Sequence, residues 1–335
     1  MRADETYPTQ EIANMARKSR LMALAVLLVL IFTTPSYAWF DAGHMAVAYL
    51  AYQDLSQPVK DRIDDLLRLN PSYKKWRASL PSSTSEEDKR MLIFIIAATW
   101  PDQIKSDHTY RDDGSAGGNI PDGPSSSLNI GYKDHLRHKY WHFVDLPLVQ
   151  DGTKLTKKQK KVPSPNALTQ INAFRAVLAS NRPDALKSYD LVWLLHLVGD
   201  VHQPLHCTQR FGKTQPTGDA GGNFVKLCDA PCKDVLHAFW DGLLGDNSSP
   251  FFAVKVGKGL PEADSSLAGI ADAKVWIDES FKLASEDVYV DPPIGLGAGP
   301  FTITEDYRTK ALEIARARVA LGGARLASIL KTELK

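Results

Sequence analysis

The stretch LLHLVGDVHQPLH, Leu194–His206, places ionisable side chains inside an apolar helical pattern. His196 and Asp200 are four residues apart, so a helix puts both side chains on one face. Pro204 cannot continue the helix, and His206 follows the expected bend. Because imidazole and carboxylate groups both suit zinc, we interpret His196, Asp200 and His206 as a metal site. The structural alternative is a buried helix whose polar groups pair with one another.

Four other histidines carry no assigned role at this stage. His202 lies off the face that carries His196, and we interpret it as a surface or capped residue rather than a ligand. His108, His135 and His138 fall in or beside a predicted flexible loop, where we expect no function for them.

The composition excludes several broad classes of protein. The chain has 335 residues, of which 44% are hydrophobic and 24% charged, as expected for one large or two small globular domains. Its net charge of +1 provides no overall basic field for nucleic acid. Cys207, Cys228 and Cys232 are too few for a disulfide-dense scaffold. One disulfide bond is expected, and the sequence does not choose among the three possible pairings.

The N-terminus has the pattern of a secretory signal peptide. The twelve apolar residues of Leu21–Phe32 are too few to span a bilayer, and basic residues precede them. Small residues at Ser36 and Ala38 indicate cleavage after Ala38. Translation is expected to start at Met15, because acidic residues before it are unusual in a signal. The mature chain would then begin at Trp39, be secreted or periplasmic, and lack a membrane anchor.

Helical periodicity dominates the remaining chain, and signals for strands are few. We expect a mainly α fold with one domain, residues 39–335, after removal of residues 1–38. The two segments 106–139 and 212–222 are rich in glycine and polar residues and are predicted loops, the longer one a binding or lid element. The basic run Lys154–Lys161 is interpreted as a solvated face, with attraction of phosphate as the alternative. Helices are predicted at 43–55, 58–69, 86–105, 164–180, 183–202, 233–244, 273–289 and 305–334.

The His-x-x-x-Asp spacing of the first stretch recurs in LHAFWD, at His237 and Asp241. Two such pairs in apolar surroundings are much less expected by accident than one. Further candidates are Asp102 in WPDQIK, His142 in YWHFVDLP, and His44 in WFDAGH. The α-amino group of a mature N-terminal Trp39 adds a nitrogen ligand once it is deprotonated. These groups, nine in all, are too many for one zinc and fit a cluster of two or three.

A zinc cluster of this kind indicates phosphoester chemistry. Closely spaced zinc ions generate hydroxide near neutral pH and stabilise the attacking and leaving oxygens of an in-line displacement. The sequence contains no GxSxG, GxxxxGK or HExxH motif that would favour another hydrolytic mechanism.

Six motifs together resemble the S1/P1 nuclease family. They are WFDAGH, WPDQIK, HFVD, HLVGDVHQPLH, GGNFV and LHAFWD, in the order and near the spacing of that family. The similarity covers residues 39 to about 334 and is specific only as a set. It implies a secreted, zinc-dependent, single-strand-specific endonuclease with 3′-nucleotidase activity and the phospholipase C/nuclease-type fold. The lack of a second disulfide pair differs from the fungal members and indicates a bacterial one.

The resemblance implies three zinc ions with defined ligands. One would be held by Asp102, His142, His196 and Asp200. A second would take the amino nitrogen and carbonyl oxygen of Trp39, together with His44 and the shared Asp200. The third, more exposed, would be held by His206, His237 and Asp241.

The resemblance also implies roles around the metals. Zinc-activated hydroxide would attack phosphorus and give 5′-phosphate products, with Asp102 and Asp200 in the catalytic centre. Phe143 and Asp145 match the positions that stack on and hydrogen-bond a base, and Asn223 lies in a motif near the scissile phosphate. Lys105 stands where the family often has an arginine; it keeps the charge but loses the bidentate fork, which predicts altered rate or preference. Single-stranded DNA or RNA and 3′-nucleotides would be the substrates, and the protein would act as a monomer without a stable protein partner.

Two alternatives remain open. The nearest is a zinc-dependent phospholipase C acting on phospholipid head groups; His237-x-x-x-Asp241 and the short Trp39-to-His44 spacing both favour the nuclease. The other is a secreted metal-binding protein without turnover, against which the ligand order and Phe143 argue.

Overall fold

The computed structural model describes residues 39–114, 120, 124–228 and 234–334. The expected signal peptide and the start at Met15 lie outside the described residues and stay predictions. No helix in the described ranges is both long and apolar enough to cross a membrane.

The described chain is mainly helical, as predicted, with short 3₁₀ turns and one two-stranded sheet. The helices are α1 (Asp41–Gln53), α2 (Gln57–Leu67), α3 (Tyr73–Ala78), α4 (Glu86–Ala97), α5 (Trp100–Ser106), α6 (Lys157–Lys160), α7 (Ala167–Leu178), α8 (Asp184–Asp200), α9 (Leu236–Asp241), α10 (Pro250–Lys258), α11 (Ser265–Ala268), α12 (Ala273–Leu283) and α13 (Glu305–Glu333). The strands β1 (Pro147–Val149) and β2 (Gln209–Phe211) pair in parallel, with Leu148 opposite Arg210.

The prediction of one helix over 86–105 is wrong, because the chain breaks between α4 and α5. Pro101 has no amide hydrogen, and the amide of Asp102 donates to the carbonyl oxygen of Thr99 rather than to that of Ala98. The Thr99 hydroxyl in turn donates to the carbonyl of Ile96 at 2.8 Å. The break therefore leaves the Ala98 carbonyl available to a side chain from another helix.

The helix α8 lies at the centre of the main hydrophobic core. Every residue from Ser188 to Asp200 is buried, so this segment has no solvent face. It packs against α1, α2, α5, α7 and α13. Any ionisable group on its last two turns is thus removed from bulk water.

A second, smaller hydrophobic cluster lies around α9. Leu236 and Trp240 of α9 pack there with Leu205, which precedes His206, and with Val225. The strands join the two ligand-bearing loops, because β1 follows the segment of His142 and β2 follows that of His206. The metal-ligand candidates are therefore supported by two different packing units.

The long segment 106–139 is more firmly attached than a free lid. The Tyr132 ring packs edge-on against Trp100 and Tyr189, with centroids 5.6 and 5.3 Å away. His138 is fully buried and lies between two carboxylates, with Nδ1 2.7 Å from Asp113 and Nε2 3.2 Å from Asp134. These ion pairs lie within the segment, and the Tyr189 hydroxyl of α8 donates to Asp134 at 3.0 Å and attaches the segment to the core. His138 is thus a structural residue, and the expectation that it has no function stays a prediction.

Candidate metal centre

The first group of candidate ligands comes from three separate elements. His196 and Asp200 lie one turn apart on α8, Asp102 lies on α5, and His142 follows a 3₁₀ turn. The Nε2 atom of His196 is 2.9 Å from His142 Nδ1 and 3.3 Å from an Asp200 oxygen. An Asp102 oxygen is 3.6 Å from the same His196 atom. All four side chains are almost completely buried.

His44 joins this group from α1. Its Nε2 is 3.4 Å from Asp200 Oδ1, and its ring stacks on that of His196 with centroids 3.8 Å apart. The approach depends on Gly199, because a Cβ there would lie 2.7 Å from His44 Nδ1. Asp200 thus faces His44 with one oxygen and the His142–His196 pair with the other.

A further group is formed by His206, His237 and Asp241. The Nε2 atoms of the two histidines are 3.0 Å apart, and Asp241 Oδ2 is 3.4 Å from His237 Nε2. His206 lies in a 3₁₀ turn, Pro204–Cys207, and the other two lie one turn apart on α9. Backbone hydrogen bonds join this group to the first: His206 Nδ1 is 2.8 Å from the His142 carbonyl, and the Val144 amide donates to the His206 carbonyl.

Backbone carbonyls orient three of the histidine rings. His196 Nδ1 is 2.8 Å from the carbonyl of Ala98, His206 Nδ1 bonds to the carbonyl of His142, and His237 Nδ1 is 2.6 Å from that of Gly221. A carbonyl can only accept, so Nδ1 of each ring is assigned the proton and Nε2 the lone pair. Metal-binding histidines are typically fixed in this way.

The arrangement fits metal ions. The Nε2 atoms of His206 and His237, both hydrogen-bond acceptors, face each other at 3.0 Å. Two unprotonated nitrogens cannot form a hydrogen bond with each other, whereas a cation bound between them would stabilise this arrangement. Three groups of His and Asp side chains have ligand atoms within 4.8 Å of one another: His44, His196 and Asp200; Asp102, His142 and His196; and His206, His237 and Asp241.

Burial determines the protonation of the site. It lowers the pKa of His142, His196 and His206 well below the usual value, and that of His237 to about 4. Burial also raises the pKa of Asp200 and Asp241 well above the usual carboxyl range, and the charge of Asp102 adds to both shifts. The imidazoles are therefore neutral, and the carboxyl groups ionise readily only when a cation is bound. Neutral imidazole and carboxylate are ligands that zinc prefers.

Trp39 is fully buried next to both groups. Its indole nitrogen donates to the Gly199 carbonyl at 3.1 Å, and the amide of Phe40 donates to the Asp241 carbonyl at 3.0 Å. The residue expected to begin the mature chain is therefore attached to α8, and its neighbour to α9. In the full-length chain its nitrogen is a peptide nitrogen.

The other predicted site residues are near the metal groups in different ways. Lys105 Nζ is 2.6 Å from Asp102 Oδ1 and is 9% exposed. Asn223 donates to the Ala220 carbonyl at 2.8 Å, beside the Gly221 that orients His237. Phe143 is adjacent to His142 and is half-buried.

Asp145 is also half-buried, and its carboxyl is perturbed. Burial, with a smaller contribution from Asp219, raises the pKa of Asp145 to about 7. Its carboxyl group can therefore donate a hydrogen bond as well as accept one near neutral pH.

His202 is expected to be a non-ligand, and none of the three His/Asp groups found in the described residues contains it, but its expected surface location is wrong. His202 is fully buried, with Nδ1 2.7 Å from the Val198 carbonyl and Nε2 3.0 Å from an Arg325 nitrogen. The Nδ1–H donates to the Val198 carbonyl and Arg325 donates to Nε2, so the ring is neutral. It helps to anchor the end of α8 to α13.

Sequence reasoning missed Gln203. Its side-chain nitrogen donates to Asp241 Oδ1 at 2.6 Å, and its oxygen accepts from the Leu205 amide at 2.6 Å. Gln203 lies inside the quoted stretch, yet a glutamine beside a proline has no spacing signal. Of the three cysteines, Cys207 is free and buried and Cys232 lies outside the described residues, so the expected disulfide bond stays a prediction.

Comparison with known proteins identifies the family. The model of the S1/P1 nuclease family matches residues 39–335. Endonuclease 1 of Arabidopsis thaliana is 25% identical over 337 residues, covering 95% of each chain. Nuclease S1 of Aspergillus oryzae is 22% identical over 228 residues, covering 67% of this chain and 60% of its own.

The chain belongs to the S1/P1 nuclease family, and the fold is the phospholipase C/nuclease-type fold predicted from the motifs. The protein is therefore a hydrolase that acts on phosphodiester bonds of nucleic acids.

Proposed function

We propose that this protein is a zinc-dependent nuclease that hydrolyses single-stranded DNA and RNA to 5′-phosphate products and removes phosphate from 3′-nucleotides. The observation that carries the proposal is the joining of the three buried His/Asp groups: two share His196, and the His206 Nδ1–H donates to the His142 carbonyl. Single-strand preference and 3′-nucleotidase activity rest on the motif resemblance.

The donor set supports three zinc ions. The sites would comprise Asp102, His142, His196 and Asp200; Trp39, His44 and Asp200; and His206, His237 and Asp241. Bound zinc would supply activation of water and stabilisation of the charge that develops at phosphorus. Asp200 would hold two of the ions together, since its two oxygens face different histidines.

The chain's own side chains would orient the substrate. Lys105, which lies against Asp102, would place a positive charge at the phosphate. Asn223 would donate to a phosphate oxygen on the side of the third zinc. Phe143 would stack on a base, and the Asp145 carboxyl would hydrogen-bond its edge.

The proposal includes export and processing. Cleavage after Ala38 would convert the buried Trp39 nitrogen into an amine able to bind zinc. The mature protein would be secreted or periplasmic and would act as a monomer.

The direct test is hydrolysis of single-stranded DNA by protein that begins at Trp39, with zinc or with a chelator. We expect zinc-dependent cleavage that leaves 5′-phosphate ends. A sample with three bound zinc ions that cleaves no nucleic acid would overturn the proposal and direct attention to phospholipids.

A second test adds one residue before Trp39. Acylation of its nitrogen should remove one zinc ligand and lower zinc content and activity together. Full zinc content and full activity in the extended protein would contradict the Trp39 assignment.

A further inference from the structure

We propose that a basic surface beside the metal centre binds the part of a single strand that extends away from the scissile phosphate. This inference rests on the proposed function and specifies its substrate as a polynucleotide rather than a mononucleotide. The basic surface consists of Lys154, Lys157, Lys158, Lys160, Lys161 and Lys213.

The basic surface is attached to the metal centre by the loop 212–222. Gln159 of α6 donates to the Pro216 carbonyl at 2.7 Å, and Asp151 accepts from the Lys213 amide at 2.8 Å. The same loop ends at Gly221, whose carbonyl orients His237. The lysines therefore belong to a unit that continues directly into the third metal group.

The charge of this surface is offset only in part, by the Asp151 carboxylate that accepts from the Lys213 amide. All six lysine side chains are exposed. Among the described residues, none of the six forms an ion pair with a carboxylate, whereas Lys274, Lys310 and Lys331 elsewhere do. With a net charge of only +1 for the whole chain, this local excess of positive charge indicates an anionic partner.

An exposed aromatic side chain lies on the next stretch of the same loop. Phe224 is 56% exposed, although its neighbour Val225 is fully buried. Lys226 is exposed as well, so the alternation places Phe224 and Lys226 on one outward face. The exposed ring presents a flat π-face, which can stack on any base.

The backbone that presents Phe224 is well supported. Its amide donates to the Asp219 carbonyl at 3.1 Å. The Asp219 side chain accepts from the Tyr289 hydroxyl at 2.6 Å and from the Arg210 amide at 2.9 Å, all within the buried interior. An exposed aromatic ring on a supported backbone, in the segment that follows the loop of Lys213, adds a stacking surface to positive charge, the combination that sequence-independent single-strand binding uses.

The test compares a dinucleotide with a single-stranded oligonucleotide long enough to lie across the basic surface, using the zinc-loaded enzyme. In the variant Lys157→Gln/Lys158→Gln, we expect a higher KM for the oligonucleotide and an unchanged kcat/KM for the dinucleotide. For the oligonucleotide, the slope of log kcat/KM against log salt should become shallower by about 1.4, since each of the two lost phosphate contacts removes about 0.7.

Phe224→Ala should raise the KM of the oligonucleotide by roughly tenfold, with kcat and dinucleotide hydrolysis unchanged. Phe224→Tyr should have the KM of the wild-type protein, because tyrosine keeps the aromatic ring that stacks on the base. Failure of Phe224→Tyr to restore it would overturn the stacking role.

The matched control is Lys255→Gln/Lys258→Gln on α10, which removes the same charge from a helix packed against α1. Equal effects of the two double variants would overturn the proposal, because net charge alone would then explain them. An unchanged oligonucleotide KM with weaker binding to anionic lipid vesicles would also overturn it in favour of a membrane surface. Wild-type protein that hydrolyses neither substrate would instead refute the proposed function on which this inference rests.

Discussion

The two parts of the metal centre are built by different kinds of structure. The first, around Asp200, takes most of its ligands from helices of the main core, including α8, which is buried throughout from Ser188 to Asp200. The second, around His237, depends on a helix of six residues, a 3₁₀ turn and a loop with successive positive-φ glycines. Helix packing positions most of the first group, whereas hydrogen bonds from Gln203 and to the carbonyls of Gly221 and His142 position the second.

This difference predicts how each part responds to mutation. Substitutions in the first part should affect two zinc ions at once, because both are expected to share Asp200. Many such substitutions should also destabilise the surrounding core. Changes in the second part should release one zinc ion while the core stays intact.

Asp200→Asn should have the largest effect. The amide keeps the shape but loses the charge that faces both His44 and His142, so two zinc ions should be lost and activity on single-stranded DNA should fall about a thousandfold. Zinc content and initial rates provide the measurement. Asp190→Asn on the same buried helix is the control, because burial raises the Asp190 pKa to about 8 and the amide resembles its neutral form. Equal losses in both variants would show that α8 tolerates no change.

Gly199→Ala should affect the first part more selectively. The added Cβ would lie 2.7 Å from His44 Nδ1 and displace that ring, lowering zinc affinity at the His44 position by about ten- to hundredfold. Gly322→Ala is the control, since its Cβ would meet His202 Cγ at 3.4 Å, an ordinary contact. Zinc titration of both variants measures the difference in zinc affinity. If Gly199→Ala keeps all of its zinc, His44 is not a ligand.

Gln203→Glu should affect only the second part. It replaces the amide nitrogen that donates to Asp241 with a second acceptor, so one zinc ion of three should bind about ten- to hundredfold more weakly. Gln203→Met, which removes the hydrogen bond without adding charge, should have a smaller effect. Stepwise removal of zinc by a chelator measures the loss, and release of all ions together would contradict the separation of the two parts.

His138→Gln should change stability but leave the activity of the folded enzyme nearly intact. Burial opposes protonation of His138, but its hydrogen bonds to Asp113 and Asp134 outweigh burial and raise its pKa. The stabilisation is therefore fully present below about pH 6.5, the usual unfolded value, and is lost as pH rises through the folded pKa.

Loss of this buried ion pair should cost about 3–5 kcal/mol at acidic pH and less at alkaline pH. Denaturant unfolding at fixed zinc concentration across this pH range measures the difference, with exposed His108→Gln as the control. A difference that grows with rising pH would mean that His138 is neutral in the folded protein.

Much of the fold and the site could be predicted from the sequence because periodicity and spacing are local properties. The segments predicted at 43–55, 183–202 and 305–334 became α1, α8 and α13. In α8 and in α9, the His and Asp side chains of the His-x-x-x-Asp pair lie on the same face of the helix, as their spacing requires. The errors were of two kinds. Pro101 and Thr99 divide the helix predicted over 86–105, and the short helices α3, α6, α10 and α11 were not predicted.

What the sequence alone determined was the set of ligand types, since His and Asp at helical spacing in apolar surroundings define the chemistry. Only the tertiary structure decided which nitrogen of each histidine faces the centre, because the carbonyls of Ala98, His142 and Gly221 come from distant elements. It also decided the fates of the remaining histidines. His138 became a buried ion pair and His202 a neutral link to Arg325, because the pKa of a side chain depends on neighbours that the order of residues does not specify.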